Sequence, residues 1–196
     1  SGVGGRKLLL IGSSVLIIFH ILGSSLLVTK SSFNQVPVAI WQSNIPVRQK
    51  FSEKQQLQLS KSVQNALERA RSLSASWLVA PEGTLSAQEH LISPAPIPFL
   101  TGGFRWVSGG QRSSLLVIDK GDKRFSLAID KHRLVPLGEK VPNLSDLPIK
   151  GLSAVGGLEP GTSSRLLSWQ GPSVAVAICY ELSDGNSLAK AVMSGA

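Results

Sequence analysis

Between Leu8 and Val28 the chain runs LLLIGSSVLIIFHILGSSLLV, 21 residues without an Asp, Glu, Lys or Arg, with Arg6-Lys7 before it and Lys30 after. At about 1.5 Å of rise per residue this length matches the hydrocarbon thickness of a bilayer, where a helix satisfies its own backbone. The expectation is one transmembrane helix over residues 1–30 with a basic cytoplasmic flank. Ser13, Ser14, His20, Ser24 and Ser25 interrupt the run. Small residues of this kind face neighbouring helices, so the segment reads as the last helix of a membrane bundle. A secretory signal peptide cut near Gly23 to Ser25 is the competing reading, but the apolar run is longer than a signal core. In both readings Arg6-Lys7 stays cytoplasmic and the chain beyond the apolar run is exported. His20 suits a hydrogen bond to a neighbouring helix as well as it suits a function.

The remainder, residues 31–196, has the length of one domain. Hydrophobic residues make up 42% of the whole chain and charged residues 16%, a balance that folds rather than staying disordered. The net charge of +8 is spread over single and paired Lys and Arg residues, with no zinc-finger, RRM or basic-helix pattern. That argues against a nucleic-acid partner and fits attraction to an anionic membrane surface. One cysteine excludes an intrachain disulfide, and His20, His90 and His132 show no metal-ligand spacing with each other or with Cys179. No metal and no cofactor is expected.

Val36 to Trp41 (VPVAIW) reads as a buried strand, broken by Asn44 and Pro46. Ser52 and Gln55 match a capping box, and Leu59, Val63, Leu67 and Ala70, with Ala66 and Leu73 close by, form one apolar stripe at helical spacing. Trp77 to Ala80 is a second strand, ended by Pro81. Strand, amphipathic helix, strand is the opening of an α/β layer fold. Further apolar runs at Leu115 to Ile118, Phe125 to Ile129 and Val174 to Ile178 are separated by loops at Ser93 to Pro98 and Gly151 to Thr162.

Three reactive residues sit where such runs end, the position from which side chains enter a crevice beside a sheet. Glu82 follows WLVAP, where partial burial makes a carboxylate a useful base. Lys131 lies just past FSLAID and offers an ammonium to a developing oxyanion. Cys179 follows VAVAI at a strand-to-turn junction, the site at which hydrolases expose a nucleophile. Taken singly, each equally suits an ordinary role: a solvated Glu, a Lys in a basic turn, a small buried Cys.

Together they resemble the nitrilase superfamily, whose members use Glu, Lys and Cys in that chain order; here the separations are 49 and 48 residues. The run DKHRLVPLGEKVP resembles the lysine motif of the apolipoprotein N-acyltransferases, AICYEL resembles their cysteine motif, and AIWQSNIP resembles their first strand after the membrane helices. The resemblance implies an α-β-β-α sandwich. It also implies that Cys179 attacks a phospholipid ester, that Glu82 takes and returns the proton, and that Lys131 supports the oxyanion. The acyl group then passes to the N-terminal diacylglyceryl-cysteine of an apolipoprotein, on the outer side of a bacterial inner membrane. Glu139 matches the family's second acid, which the resemblance implies holds Lys131 in place and charged, and Tyr180 and Glu181 match the residues that shape its pocket. Two places depart from the family pattern: Ala80-Pro81 stands for Trp-Pro, and Gln111-Arg112-Ser113-Ser114 stands where Tyr-Asn-Ser is usual.

The family extends further at both ends, so the resemblance also implies a fragment with an incomplete sandwich. A nitrilase-like amidase acting on a small C–N substrate and an inactive membrane-anchored interaction domain are the alternatives. The apolar span and the LVPLGE motif weigh against the first.

Overall fold

The computed structural model describes residues 2–27, 36–45, 53–86, 90–140 and 157–196. They divide into two units at Gln35/Val36. In the first, α1 (Gly2–Leu27) contains a 22-residue apolar stretch, Gly4–Ser25, long enough to cross a membrane. Its apolar side chains are exposed, Leu8 at 76%. Ser14 Oγ donates to the Leu10 carbonyl and Ser25 Oγ to that of Leu22, so these two hydroxyls are satisfied within the helix.

The second unit is built on a five-stranded sheet in the order β1-β2-β3-β4-β5: β1 (Val38–Ile40), β2 (Trp77–Leu85), β3 (Phe99–Val107), β4 (Gly110–Ile118) and β5 (Leu127–Asp130). The first three strands are mutually parallel, and β4 and β5 add on antiparallel to their neighbours. Helix α2 (Glu53–Ser72) is the crossover between β1 and β2, as parallel strands require. The predicted stripe is its buried face: Leu59, Val63, Leu67 and Ala70 pack on Leu78, Phe99, Leu116 and Ile118. Each fully buried Leu or Val here stabilises the fold by roughly 1.5–3 kcal/mol. Leu73 is exposed at the helix end. The capping box rests on Ser52 and the side chain of Gln55, outside the described residues, as do Lys30, Pro46 and the first part of the Gly151 to Thr162 loop.

Over β2 to β4 the opposite face of the sheet is buried as well, which is why these strands read as continuous apolar runs and not as alternation. At the edge, β1 exposes Val38 and Ile40, so the strand expected to be buried is covered on one face only. Leu100 and Val117 of the sheet, with Val79, Leu115 and Ile129 packed beside them, meet Leu167, Val176 and Ile178. Leu167 belongs to a two-stranded antiparallel sheet, β6 (Leu166–Leu167) with β7 (Val174–Ala175), and Trp169 packs edge-on to Trp77 at 5.5 Å. Helix α3 (Gly185–Met193) packs on β7. The layers are therefore α2, five-stranded sheet, β6–β7, α3, the α-β-β-α order expected.

Several element boundaries differ from the sequence reading. Strand β3 was not foreseen, because Gly102-Gly103 interrupts its apolar pattern. Strand β2 continues through Pro81, since four residues, Pro81–Thr84, bulge opposite the single residue Gly102. The strand before Cys179 stops at Ala175; only Val176 N–H extends it, donating to the Arg165 carbonyl. A 3₁₀ turn, Cys179–Ser183, comes next.

Candidate active site

The bulge in β2 aims Glu82 off the strand axis, a frequent use of bulges beside reactive groups. Gly83 takes φ +66°, which glycine adopts at no steric penalty, and Thr84 Oγ1 donates to the Pro81 carbonyl at 2.7 Å to close the loop. Only a glycine fits beneath it: a Cβ on Gly102 would lie 2.3 Å from Glu82 Cα and 2.7 Å from the Pro81 carbonyl oxygen. Glu82 Oε1 then accepts from Ser113 Oγ at 2.9 Å and from Lys131 Nζ at 3.3 Å. Ser113 lies in the Gln111–Ser114 stretch that departs from the family pattern, so sequence comparison offered no role for it.

Lys131 is fully buried, and its ammonium also donates to Glu139 Oε1 at 2.7 Å. Burial pushes its pKa down, but the hydrogen bond to Glu139 and the charges of Glu82 and Glu139 outweigh that, and the net direction is up. Lys131 is therefore favoured in its charged form, which suits it to donating to an oxyanion and not to acting as a base. The other Glu139 oxygen accepts the Val135 N–H at 2.9 Å, which folds the LVPLGE motif back over the lysine.

The backbone at Lys131 is held from the preceding residue. Asp130 accepts from Arg105 at 2.6 and 2.7 Å, from Arg112 at 3.0 Å and from Ser114 at 2.8 Å. Burial alone would raise its pKa; these hydrogen bonds and the Arg105 charge bring it down to about 2. Lys131 N–H also donates to the Ser113 carbonyl, and Gly161 N–H to the Lys131 carbonyl, each at 2.8 Å.

Cys179 is exposed at the first position of the 3₁₀ turn, with φ +52°. A left-handed cysteine costs about 1–2 kcal/mol relative to an ordinary φ, and such strain is found where a turn thrusts a nucleophile outward. The turn is tied to the lysine loop through Glu181. That carboxylate accepts Ile178 N–H at 2.9 Å, on the cysteine side, and His132 N–H at 2.7 Å and Arg133 N–H at 3.3 Å, on the lysine side. Tyr180 points outward and is 42% exposed. Glu82 and Glu139 thus each bond Lys131 directly, whereas the turn that carries Cys179 is tied to the lysine loop by the backbone groups that Glu181 accepts. Among the described residues no three His, Cys, Asp or Glu side chains are grouped to hold a metal ion.

Comparison with known proteins bears on what this arrangement belongs to. No family model matches the chain. An apolipoprotein N-acyltransferase of Prochlorococcus marinus (strain MIT 9313) is 56% identical over 188 residues, covering 96% of this chain and 38% of its own. Those of a second P. marinus strain (SARG) and of Parasynechococcus marenigrum (strain WH8102) are 52% and 46% identical over 95% and 92% of this chain. By sequence, this chain is homologous to a stretch of the apolipoprotein N-acyltransferases. It spans about 38% of the length of these curated relatives. Among solved structures, a glutamine-dependent NAD+ synthetase from Acinetobacter baumannii aligns with 71% of this chain and 28% of its own at 15% identity, with a TM-score of 0.49, too loose an overlap to carry argument. In this chain, sequence reasoning missed Ser113, Gly102, Asp130 and Arg165. Their signal lies in what stands opposite them, which a linear pattern does not display.

Proposed function

We propose that the chain carries the catalytic site of an apolipoprotein N-acyltransferase, with Cys179 as nucleophile, Glu82 as general acid–base and Lys131 as oxyanion donor. The observation that carries this reading is the fully buried Lys131 ammonium held between Glu82 and Glu139. A buried charge of this kind is kept where its field is used. In the first half-reaction the Cys179 thiol gives its proton to Glu82 as Sγ attacks the ester carbonyl of a phospholipid. Lys131 supports the oxyanion, the C–O bond breaks, and the lysolipid oxygen takes the proton back from Glu82. In the second half-reaction, the α-amine of a diacylglyceryl-modified apolipoprotein cysteine attacks the thioester. Its proton passes through Glu82 to the departing Cys179 sulfur, leaving an amide.

The apolar α1 supports a membrane setting, and Arg6-Lys7 supports a cytoplasmic start with the domain on the outer side of the inner membrane. Intact mass tests the reading. The full-length protein in phospholipid vesicles, without amine acceptor, gains one acyl chain as wild type and none as Cys179→Ala. An unmodified wild type with intact lipid refutes it and favours an amidase or an inactive binding domain.

A further inference from the structure

Arg165 and Glu181 form an ion pair with 3% and 2% exposure, deeper than any reacting group except Lys131. Arg165 Nη1 donates to both Glu181 oxygens, at 2.8 and 2.9 Å, while Nη2 donates to the Asp130 carbonyl at 2.6 Å and the Thr162 carbonyl at 2.8 Å. Glu181 in turn receives the N–H groups of Ile178 and His132. One ion pair therefore grips the backbone on both sides of Lys131, at Asp130 and His132, and the backbone immediately before Cys179.

Stability alone does not account for such a pair. Desolvating two charges offsets most of their attraction, and an apolar pair of the same volume often does as well. What apolar side chains do not supply is the fork: a planar guanidinium that fixes a carboxylate and a carbonyl in one plane, which a lysine ammonium does not reproduce. The second layer of the sandwich enters here too, because the Arg165 carbonyl accepts Val176 N–H in the strand leading to Cys179.

We propose that Arg165 is a positioning residue that, through Glu181, sets the distance between Cys179 and Lys131. The proposal rests on the reading of those two side chains as the reacting groups. A misplacement near 1 Å between reacting groups costs about 100-fold in rate. The role therefore predicts a loss in the chemical step and little change in lipid binding.

The test uses the full-length protein in vesicles of phosphatidylethanolamine and phosphatidylglycerol, with single-turnover acylation of Cys179 followed by intact mass. Arg165→Met is expected to slow acylation about 100-fold, with the half-saturating lipid concentration within about 3-fold of wild type. Arg165→Lys is expected to fall between the two. Acylation of Arg165→Met at the wild-type rate, or a loss that lies wholly in lipid saturation, overturns the proposal. If Arg165→Met does not fold, Arg165→Gly with added guanidinium decides: recovery toward the wild-type rate supports the role, and none overturns it. A wild type that takes up no acyl chain removes the acyltransferase reading instead. Positioning is then read from iodoacetamide alkylation of Cys179, which Arg165→Met slows about 10-fold if Lys131 stands beside the thiol and leaves unchanged if the proposal is wrong.

Discussion

Replacing Gly102 by alanine adds one methyl group at the point where β2 bulges over β3. That carbon would stand 2.3 Å from Glu82 Cα and 2.7 Å from both Glu82 N and the Pro81 carbonyl oxygen, whereas ordinary contact begins at 3.4 Å. All three neighbours are backbone atoms, so no side-chain rotation relieves the clash, and the bulge must retreat by about 1 Å. Overpacking of this size destabilises by about 1–3 kcal/mol, which for a domain of this length lowers Tm by about 3–10 °C. The same movement carries Glu82 Oε1 away from Ser113 Oγ and Lys131 Nζ, now at 2.9 and 3.3 Å. Single-turnover acylation of Cys179 by phospholipid is expected to fall about 100-fold. Gly103→Ala is the internal control. Its Cβ meets Leu116 Cδ1 at 2.7 Å, the end of a side chain packed in the core, and the Leu85 carbonyl oxygen at 3.1 Å, but no atom of Glu82 is among its nearest neighbours. That variant is expected to lose stability while keeping acylation within about 3-fold of wild type, because Glu82 is not displaced. Wild-type rate and Tm in Gly102→Ala, or equal rate losses in both variants, would refute the argument that Gly102 exists to seat Glu82.

Glu139→Gln removes one of the two charges that hold the Lys131 proton on. The alkaline limb of the acylation pH profile should move to lower pH, and an unmoved limb would mean that Glu139 does not govern the lysine's charge. Asp130 is held down to about 2 from an ordinary 3.8, so its contribution to stability is complete above pH 3.8 and is lost as the pH falls through about 2. At about 1.4 kcal/mol per tenfold change in proton affinity this is worth about 2 kcal/mol, which wild type should lose between pH 4 and pH 2 and Asp130→Asn should not, as read by denaturant titration. Cys179→Gly should melt about 2–4 °C above Cys179→Ala, because glycine accepts the +52° φ without penalty; equal melting points would mean that the turn carries no strain.

The legible parts of this protein are those whose cause lies within a few residues. The apolar helix α1 follows from an uncharged stretch of bilayer length. The α2 face follows from the spacing of Leu59, Val63, Leu67 and Ala70, all buried against the sheet. Glu82, Lys131 and Cys179 could be singled out because each follows an apolar run, and the DKHRLVPLGEKVP and AICYEL motifs named the family that the curated relatives also indicate. Glu139, with Lys131 as the group it holds, and Glu181 came from those motifs; the partners of Glu181 did not.

What only the tertiary structure decided are the contacts made across long separations. Gly102-Gly103 obscures β3 in the sequence, since a glycine is required there by the backbone of β2 above it, twenty residues earlier in the chain. Ser113 reaches Glu82 over 31 residues, and Arg165 reaches Glu181 over 16 and the Asp130 carbonyl over 35. A polar side chain shows its type in the sequence, but its partner depends on which strands lie side by side and in what register. The sequence alone therefore determined the elements with a local period and which residues are candidates for the reactive groups. The placement of those groups waited on the stacking of the two sheets, because burial, which selects the arginine fork and the seat for Glu82, is a property of the packed layers.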